Sequence, residues 1–253
     1  PLDSIKYYKS FLRTGFMSIC PQNGAVKAYV GGLDFMHFAY DMAMDGRRQV
    51  GSLIKPFLYS LAMENGFSPC DVAPNVQQTY MVAGRPWTPR NGSKARYGDM
   101  VTLKWGLQQS NNWISAYLMS KLNPQAFVTL LHEYGIRNPE IHPSMSLCLG
   151  PCEITVGEMV SAYTAFVNHG IRASHMFVTR IEDNDGNLIT QFQPRLNEVI
   201  SEESANKMLY MLKAVVDGGT ASRLRFRYNL TGEIAGKTGT TNNNSDAWFM
   251  GIT

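Results

Sequence analysis

No run of the sequence approaches the about 18 consecutive apolar residues that a membrane-spanning helix needs, and no charged, apolar and small-residue leader stands at its start. The chain opens on Pro1 and stops on Met250-Gly251-Ile252-Thr253, directly after the strand-like Ala247-Trp248-Phe249. Both ends read as cut from something longer, so the missing leader and anchor leave the parent protein's location open. An excess of one charge is also lacking: 23 basic and 20 acidic residues leave a net charge of +3, evenly spread, which excludes the basic footprint of a nucleic-acid binder. Four cysteines, Cys20, Cys70, Cys148 and Cys152, are too few for a disulfide framework. His142, Cys148 and Cys152 lack the second close pair that a zinc site requires, so no metal and no cofactor is assigned. A Cys148–Cys152 bridge would need an oxidising compartment. Repeats and low-complexity segments are absent as well.

What is present is an ordinary globular composition, 44% hydrophobic and 17% charged over 253 residues, enough for a substantial core. Phe16–Cys20 and Ala25–Val30, separated by Pro21-Gln22-Asn23-Gly24, predict a hairpin, because Asn-Gly between apolar runs favours a tight turn. Phe177–Ile181 and Leu188–Phe192, turning through Asn184-Asp185-Gly186-Asn187, predict a second, and Trp248–Ile252 a final strand. From Ser52, apolar Ile54, Phe57, Leu58 and Leu61 fall at helical spacing, with Gly66 placed to end the helix. Further helices are expected from Thr102 through Leu122 with a break near Ser110, and over Pro124–Tyr134, Thr155–Asn168 and Glu202–Val216. Strands at both ends and helices between do not alternate as a parallel βαβ fold would. The expectation is therefore α+β, an antiparallel sheet joined to a mainly helical subdomain, with a site where the two meet.

Ser52 and Lys55 lie three apart at a helix start, so their side chains share a face. A serine hydroxyl becomes a useful nucleophile when a base takes its proton, and a lysine serves as that base when its surroundings lower its pKa. Chance also places Ser and Lys three apart on surface helices, and the pair alone carries little. Two later motifs change that: Ser110-Asn111-Asn112 at the helix break, and Lys237-Thr238-Gly239-Thr240. On a strand facing a cleft, Lys237 supplies positive potential, Thr238 and Thr240 offer hydroxyls to a carboxylate, and Gly239 allows close backbone approach.

Ser52-Leu53-Ile54-Lys55, Ser110-Asn111-Asn112 and Lys237-Thr238-Gly239, in that order, resemble the three motifs of penicillin-binding proteins and serine β-lactamases. Pro21–Val26, Val30-Gly31-Gly32, Arg48–Gly51, Pro89-Arg90-Asn91, Leu149-Gly150 and Thr241 through Phe249 extend the resemblance to the transpeptidase domain of bifunctional, class A penicillin-binding proteins. It covers nearly every residue from 15 to 253. The resemblance implies an acyl-enzyme on Ser52 with a D-Ala-D-Ala stem peptide of peptidoglycan, then cross-linking to an acceptor amine, with β-lactams as covalent inhibitors. In that scheme Lys55 is the base, Ser110 relays a proton beside Lys237, and Asn112, Thr238, Gly239 and Thr240 hold substrate. The backbone N–H groups of Ser52 and Thr240 form the oxyanion hole. It implies equally that residues 1–14 are a linker remnant, that a glycosyltransferase domain and membrane anchor lie upstream in a parent facing the periplasm, and that a last strand and helix lie beyond residue 253.

Two other activities share the chemistry: a D,D-carboxypeptidase, in which water replaces the amine, and a β-lactam sensor or scaffold that is acylated without turnover. No Glu-x-x-Leu-Asn loop is present to bring water to the acyl-enzyme; Glu153-Ile154-Thr155-Val156-Gly157 fails the pattern, so slow hydrolysis is expected. His37, His132, His142, His169 and His175 stand in no motif, which argues against a histidine triad. Trp87, Trp105, Trp113 and Trp248 read as core or cleft-wall residues.

Overall fold

The computed structural model describes residues 2–241 and 244–253; Pro1, Asn242 and Asn243 lie outside them. The α-helices are α1 (Leu2–Lys9), α2 (Lys55–Glu64), α3 (Leu103–Gln108), α4 (Asn112–Lys121), α5 (Pro124–Glu133), α6 (Val156–Val167), α7 (Glu202–Gly218) and α8 (Arg223–Phe226). The starts of α3 to α7 are set by side chains that accept otherwise unsatisfied backbone N–H groups. Thr102 caps α3, Asn111 caps α4, Asn123 caps α5 and Ser201 caps α7. Thr155 and Glu158 form a reciprocal capping box on α6.

Helix α2 is buried from Lys55 through Met63, on all sides rather than along one stripe, which makes it the central helix. It packs against α4, α5 and α7. Phe57 meets Tyr134, Tyr163 and Phe166 at ring-centroid separations of 4.7, 5.4 and 5.7 Å, joining α2 to the end of α5 and to α6. Pro56 sits in the first turn, where its missing N–H removes no helical bond.

Among the described residues the strands form antiparallel two-stranded ladders. Phe16–Ile19 pairs with Val26–Val30, and Arg180–Glu182 with Leu188–Gln191, as the turn residues predict, although the second hairpin is shorter than its apolar runs. Ala235–Thr240 pairs with Ala247–Ile252, bringing Lys237 opposite Met250 and Gly239 opposite Trp248. The pairing of Arg48–Gln49 with Glu153–Ile154 ties the segment before Ser52 to the start of α6. What unites the sheet expected from the sequence is α6, which packs against both the Phe16–Ile19 and the Ala247–Ile252 strands. The architecture is α+β, as the order of elements implied. Residues 1–14, read as linker, contain α1, whose Leu2, Ile5 and Tyr7 are exposed.

Candidate active site

Ser52 stands in a 3₁₀ turn, Gly51–Ile54, that runs directly into α2. The turn is wedged between two backbones. On one side Val50 and Gly51 donate to the carbonyls of Cys152 and Gly150 at 3.1 Å each. On the other, a Cβ on Gly51 would lie 2.7 Å from the Thr240 carbonyl oxygen, and the residue has φ of +52°, so only glycine fits. The Thr240 backbone thus lies against the residue preceding the serine. Trp248 clamps the same region, its indole N–H donating to the Gln49 carbonyl at 2.9 Å, and Arg48 pairs with Asp246 at 2.7 Å.

Lys55 begins α2 three residues after Ser52, and the Ser52 carbonyl accepts its backbone N–H. Its side chain is fully enclosed, and the ammonium donates to the Ser110 carbonyl and to Asn112 Oδ1 at 2.6 Å each, with Ser110 Oγ at 3.4 Å. Burial pushes its pKa down to about 7, offset slightly by the Cys148 thiol nearby. Lys237 is enclosed as completely; it donates to Ser110 Oγ and to the Thr238 carbonyl at 2.9 Å each. Burial, then the charge of Lys55, holds its pKa well below the ordinary lysine value. Ser110 is therefore the shared neighbour of two buried amines whose positive charges oppose each other.

Ser110 reaches that position because the chain reverses between α3 and α4 with Ser110 at φ of +53°, and Asn111 fixes the reversal. Its Oδ1 accepts from the N–H groups of Trp113 and Ile114, while its Nδ2 donates to Asn75 Oδ1 at 2.8 Å. Asn112 is held from three directions: by Lys55, by its backbone N–H to Asn91 Oδ1 at 3.0 Å, and by its Nδ2 to the Arg90 carbonyl at 2.7 Å. Ser52, Ser110, Asn112, Asn91 and Trp105 line a cavity of about 220 Å³.

Along Ala235–Thr240 successive side chains alternate between two faces. Lys237 and Gly239 are buried, Thr238 is half-buried and Thr240 exposed. Gly239 answers to a neighbour within the fold: a Cβ there would lie 2.7 Å from the Val50 carbonyl oxygen and 2.9 Å from Leu53 Cγ. The glycine that the sequence suggested would admit a substrate backbone is the one that lets this strand lie against the Gly51–Ile54 turn. Thr238 Oγ1 is 2.6 Å from Thr220 Oγ1, in the turn that follows α7.

The structure thus gathers Ser52, Lys55, Ser110, Asn112 and Lys237 into one site, with Thr238 and Thr240 on the adjoining strand. Nothing in the sequence assigns a role to Thr220 or, singly, to Asn91, whereas Trp105 reads there as core or cleft wall. The Pro89-Arg90-Asn91 segment was the available signal. Its Pro89 carbonyl accepts the Trp113 indole N–H at 3.0 Å, and Trp113 is core while Trp105 is cleft wall.

The model of the penicillin binding protein transpeptidase domain matches residues 15–253. The chain belongs to that family. Over 249 residues it is 36% identical to penicillin-binding protein 1A of Neisseria meningitidis, covering 95% of this chain and 31% of that protein. With penicillin-binding protein 1A of Aquifex aeolicus the identity is 32% over 243 residues, covering 95% and 33%. The crystal structure of penicillin-binding protein 1A from Haemophilus influenzae superposes with a TM-score of 0.88 at 27% identity, covering 95% of this chain and 41% of that one. The transpeptidase domain described here therefore spans about a third of the length of these two curated relatives.

Proposed function

We propose that this chain is the D,D-transpeptidase unit of a peptidoglycan synthase, acting through an acyl-enzyme on Ser52. The observation that carries the reading is Lys55: a buried amine with a pKa of about 7, three residues after the serine and bonded to both Ser110 and Asn112. In the proposed reaction Lys55 takes the Ser52 proton as Oγ attacks the penultimate D-Ala carbonyl of a stem peptide. The carbonyl oxygen gathers negative charge between the backbone N–H groups of Ser52 and Thr240. As the D-Ala–D-Ala bond breaks, Ser110, supplied by the two lysines, passes a proton to the departing amine of the terminal D-Ala. An amine from a second stem then attacks the ester, restoring Ser52 and joining the two peptides. Thr238 and Thr240 receive the substrate carboxylate near the positive Lys237, and Asn112 holds the peptide through the amide N–H it does not use internally.

A β-lactam enters the same path, its ring amide taking the place of the D-Ala–D-Ala bond, and stays attached for want of a device that delivers water. No cofactor takes part. We read residues 1–14 as linker and the parent as a membrane-anchored protein with an upstream glycosyltransferase domain, working on the outer face of the membrane. Incubation with a pentapeptide donor and an acceptor amine, with products separated by mass, tests the reaction. A cross-linked product lost in Ser52→Ala is expected. Trimmed donor alone would make the chain a carboxypeptidase, and acylation without either product would make it a sensor or scaffold.

A further inference from the structure

Away from the catalytic centre, a cavity of about 420 Å³ opens between the end of α5, one side of α6 and the segment that follows the strand Ile171–Ala173. Its wall includes Arg137, Arg172, Arg195, His175, Ser161 and Glu158. Arg172 is 8% exposed, and among the described residues it has no carboxylate partner. One of its terminal nitrogens donates to Ser161 Oγ at 3.2 Å, while its Nε is buried without a partner among the described residues, as is Nδ1 of His175. Leaving a guanidinium donor enclosed and unpaired is unfavourable unless something arrives to accept from it.

The acidic residue in the wall does not fill that role. Glu158 is engaged by Arg47 through two contacts of 2.9 and 3.1 Å and accepts the backbone N–H groups of Arg137 and Thr155. Neither Arg137 nor Arg195 has an ion-pair partner among the described residues, and both are exposed at the rim. Three arginines therefore line one space, and among the described residues no free carboxylate offsets them there. The neighbouring backbone is shaped to this arrangement: Gly135, at φ of +83°, leaves room that a Cβ would take from the Arg172 guanidinium.

We propose that this cavity binds a phosphate or diphosphate group. A carboxylate brings one charge and two oxygens, which one guanidinium fork satisfies. A phosphate brings about two charges and three acceptor oxygens, matching several forks that approach from different directions. The space is larger than a single phosphate needs, so the group belongs to an organic phosphate, either a free small molecule or a lipid headgroup at a membrane surface.

The test is calorimetric titration of the full chain with pyrophosphate at constant ionic strength, beside the double variant Arg137→Gln/Arg195→Gln. Both of those positions are exposed, and the variant's thermal unfolding midpoint verifies its fold. The wild type should bind saturably, and the rim variant should bind at least about tenfold more weakly. Arg172→Gln should abolish binding where it folds. Co-sedimentation with phosphatidylcholine vesicles containing phosphatidic acid, but not with phosphatidylcholine alone, and lost in the rim variant, assigns the site to a headgroup. Binding of pyrophosphate without vesicle binding assigns it to a soluble phosphate. No saturable binding to a folded wild type, or equal binding by the rim variant, would overturn the proposal.

Discussion

A lysine on a surface helix carries its charge through neutral pH; Lys55, enclosed by the fold, is held down to a pKa of about 7 by burial. Only the free amine can accept a proton from Ser52, and that form grows as pH rises through about 7. Acylation by a penicillin should therefore accelerate about tenfold per pH unit below that value and level off just above it. A rate still climbing at about pH 9 would return Lys55 toward its ordinary value of 10.5 and contradict the account. The same shift acts on folding: between about 7 and 10.5 the unfolded chain binds a proton that the folded one refuses, so stability contributed by this residue rises with pH across that window. In the proposed reaction Ser110 is the second residue on which the chemistry depends, because its hydroxyl accepts from Lys237 and lies within reach of Lys55. Ser110→Ala should slow acylation by about a hundredfold or more while the unfolding midpoint changes little. Stopped-flow acylation would measure this, and a loss of only a few fold would remove Ser110 from the proton path.

Between residues and the whole lie the two elements that meet at the nucleophile, the Gly51–Ile54 turn and the Ala235–Thr240 strand. Their approach has no room for a methyl group at Gly239, where a Cβ would stand 2.7 Å from the Val50 carbonyl oxygen. Gly239→Ala should push the strand outward, lower the thermal midpoint and cut the acylation rate by more than about tenfold. Unchanged kinetics in that variant would show that the contact does not position the site. Helices α5, α6 and α7 carry two signals, apolar spacing and a capping side chain, as in Thr155 with Glu158 ahead of α6, whereas α2 was legible through its apolar spacing alone. Two-residue pairings such as Arg48–Gln49 with Glu153–Ile154 left no periodic trace, since neither segment is long enough to alternate. The 3₁₀ form of the serine turn was hidden for a related reason: its geometry is imposed by Thr240 and Gly150 from outside the segment, not by the residues within it.

For the whole molecule, the site is a convergence of segments far apart in sequence: 51–55 leading into the central helix, 89–91, 110–112, and 237–240. The side chains proposed to act in catalysis stand out in the sequence because each sits in a short motif whose spacing is itself the signal. Thr220 and the arginine-lined cavity left no such signal, because their surroundings come from which strands and helices the fold brings together: Thr220 meets Thr238 on a separate strand. Among the described residues no helix is long and apolar enough to cross a membrane. The central claim, that Ser52 is the nucleophile of an acyl-transfer site, is tested most directly by intact-mass spectrometry of the chain after incubation with a penicillin, alongside Ser52→Ala. The account predicts a persistent increase equal to one drug molecule on the wild type and none on the variant. An unmodified wild type that is demonstrably folded, or an adduct that survives the loss of Ser52, would contradict it.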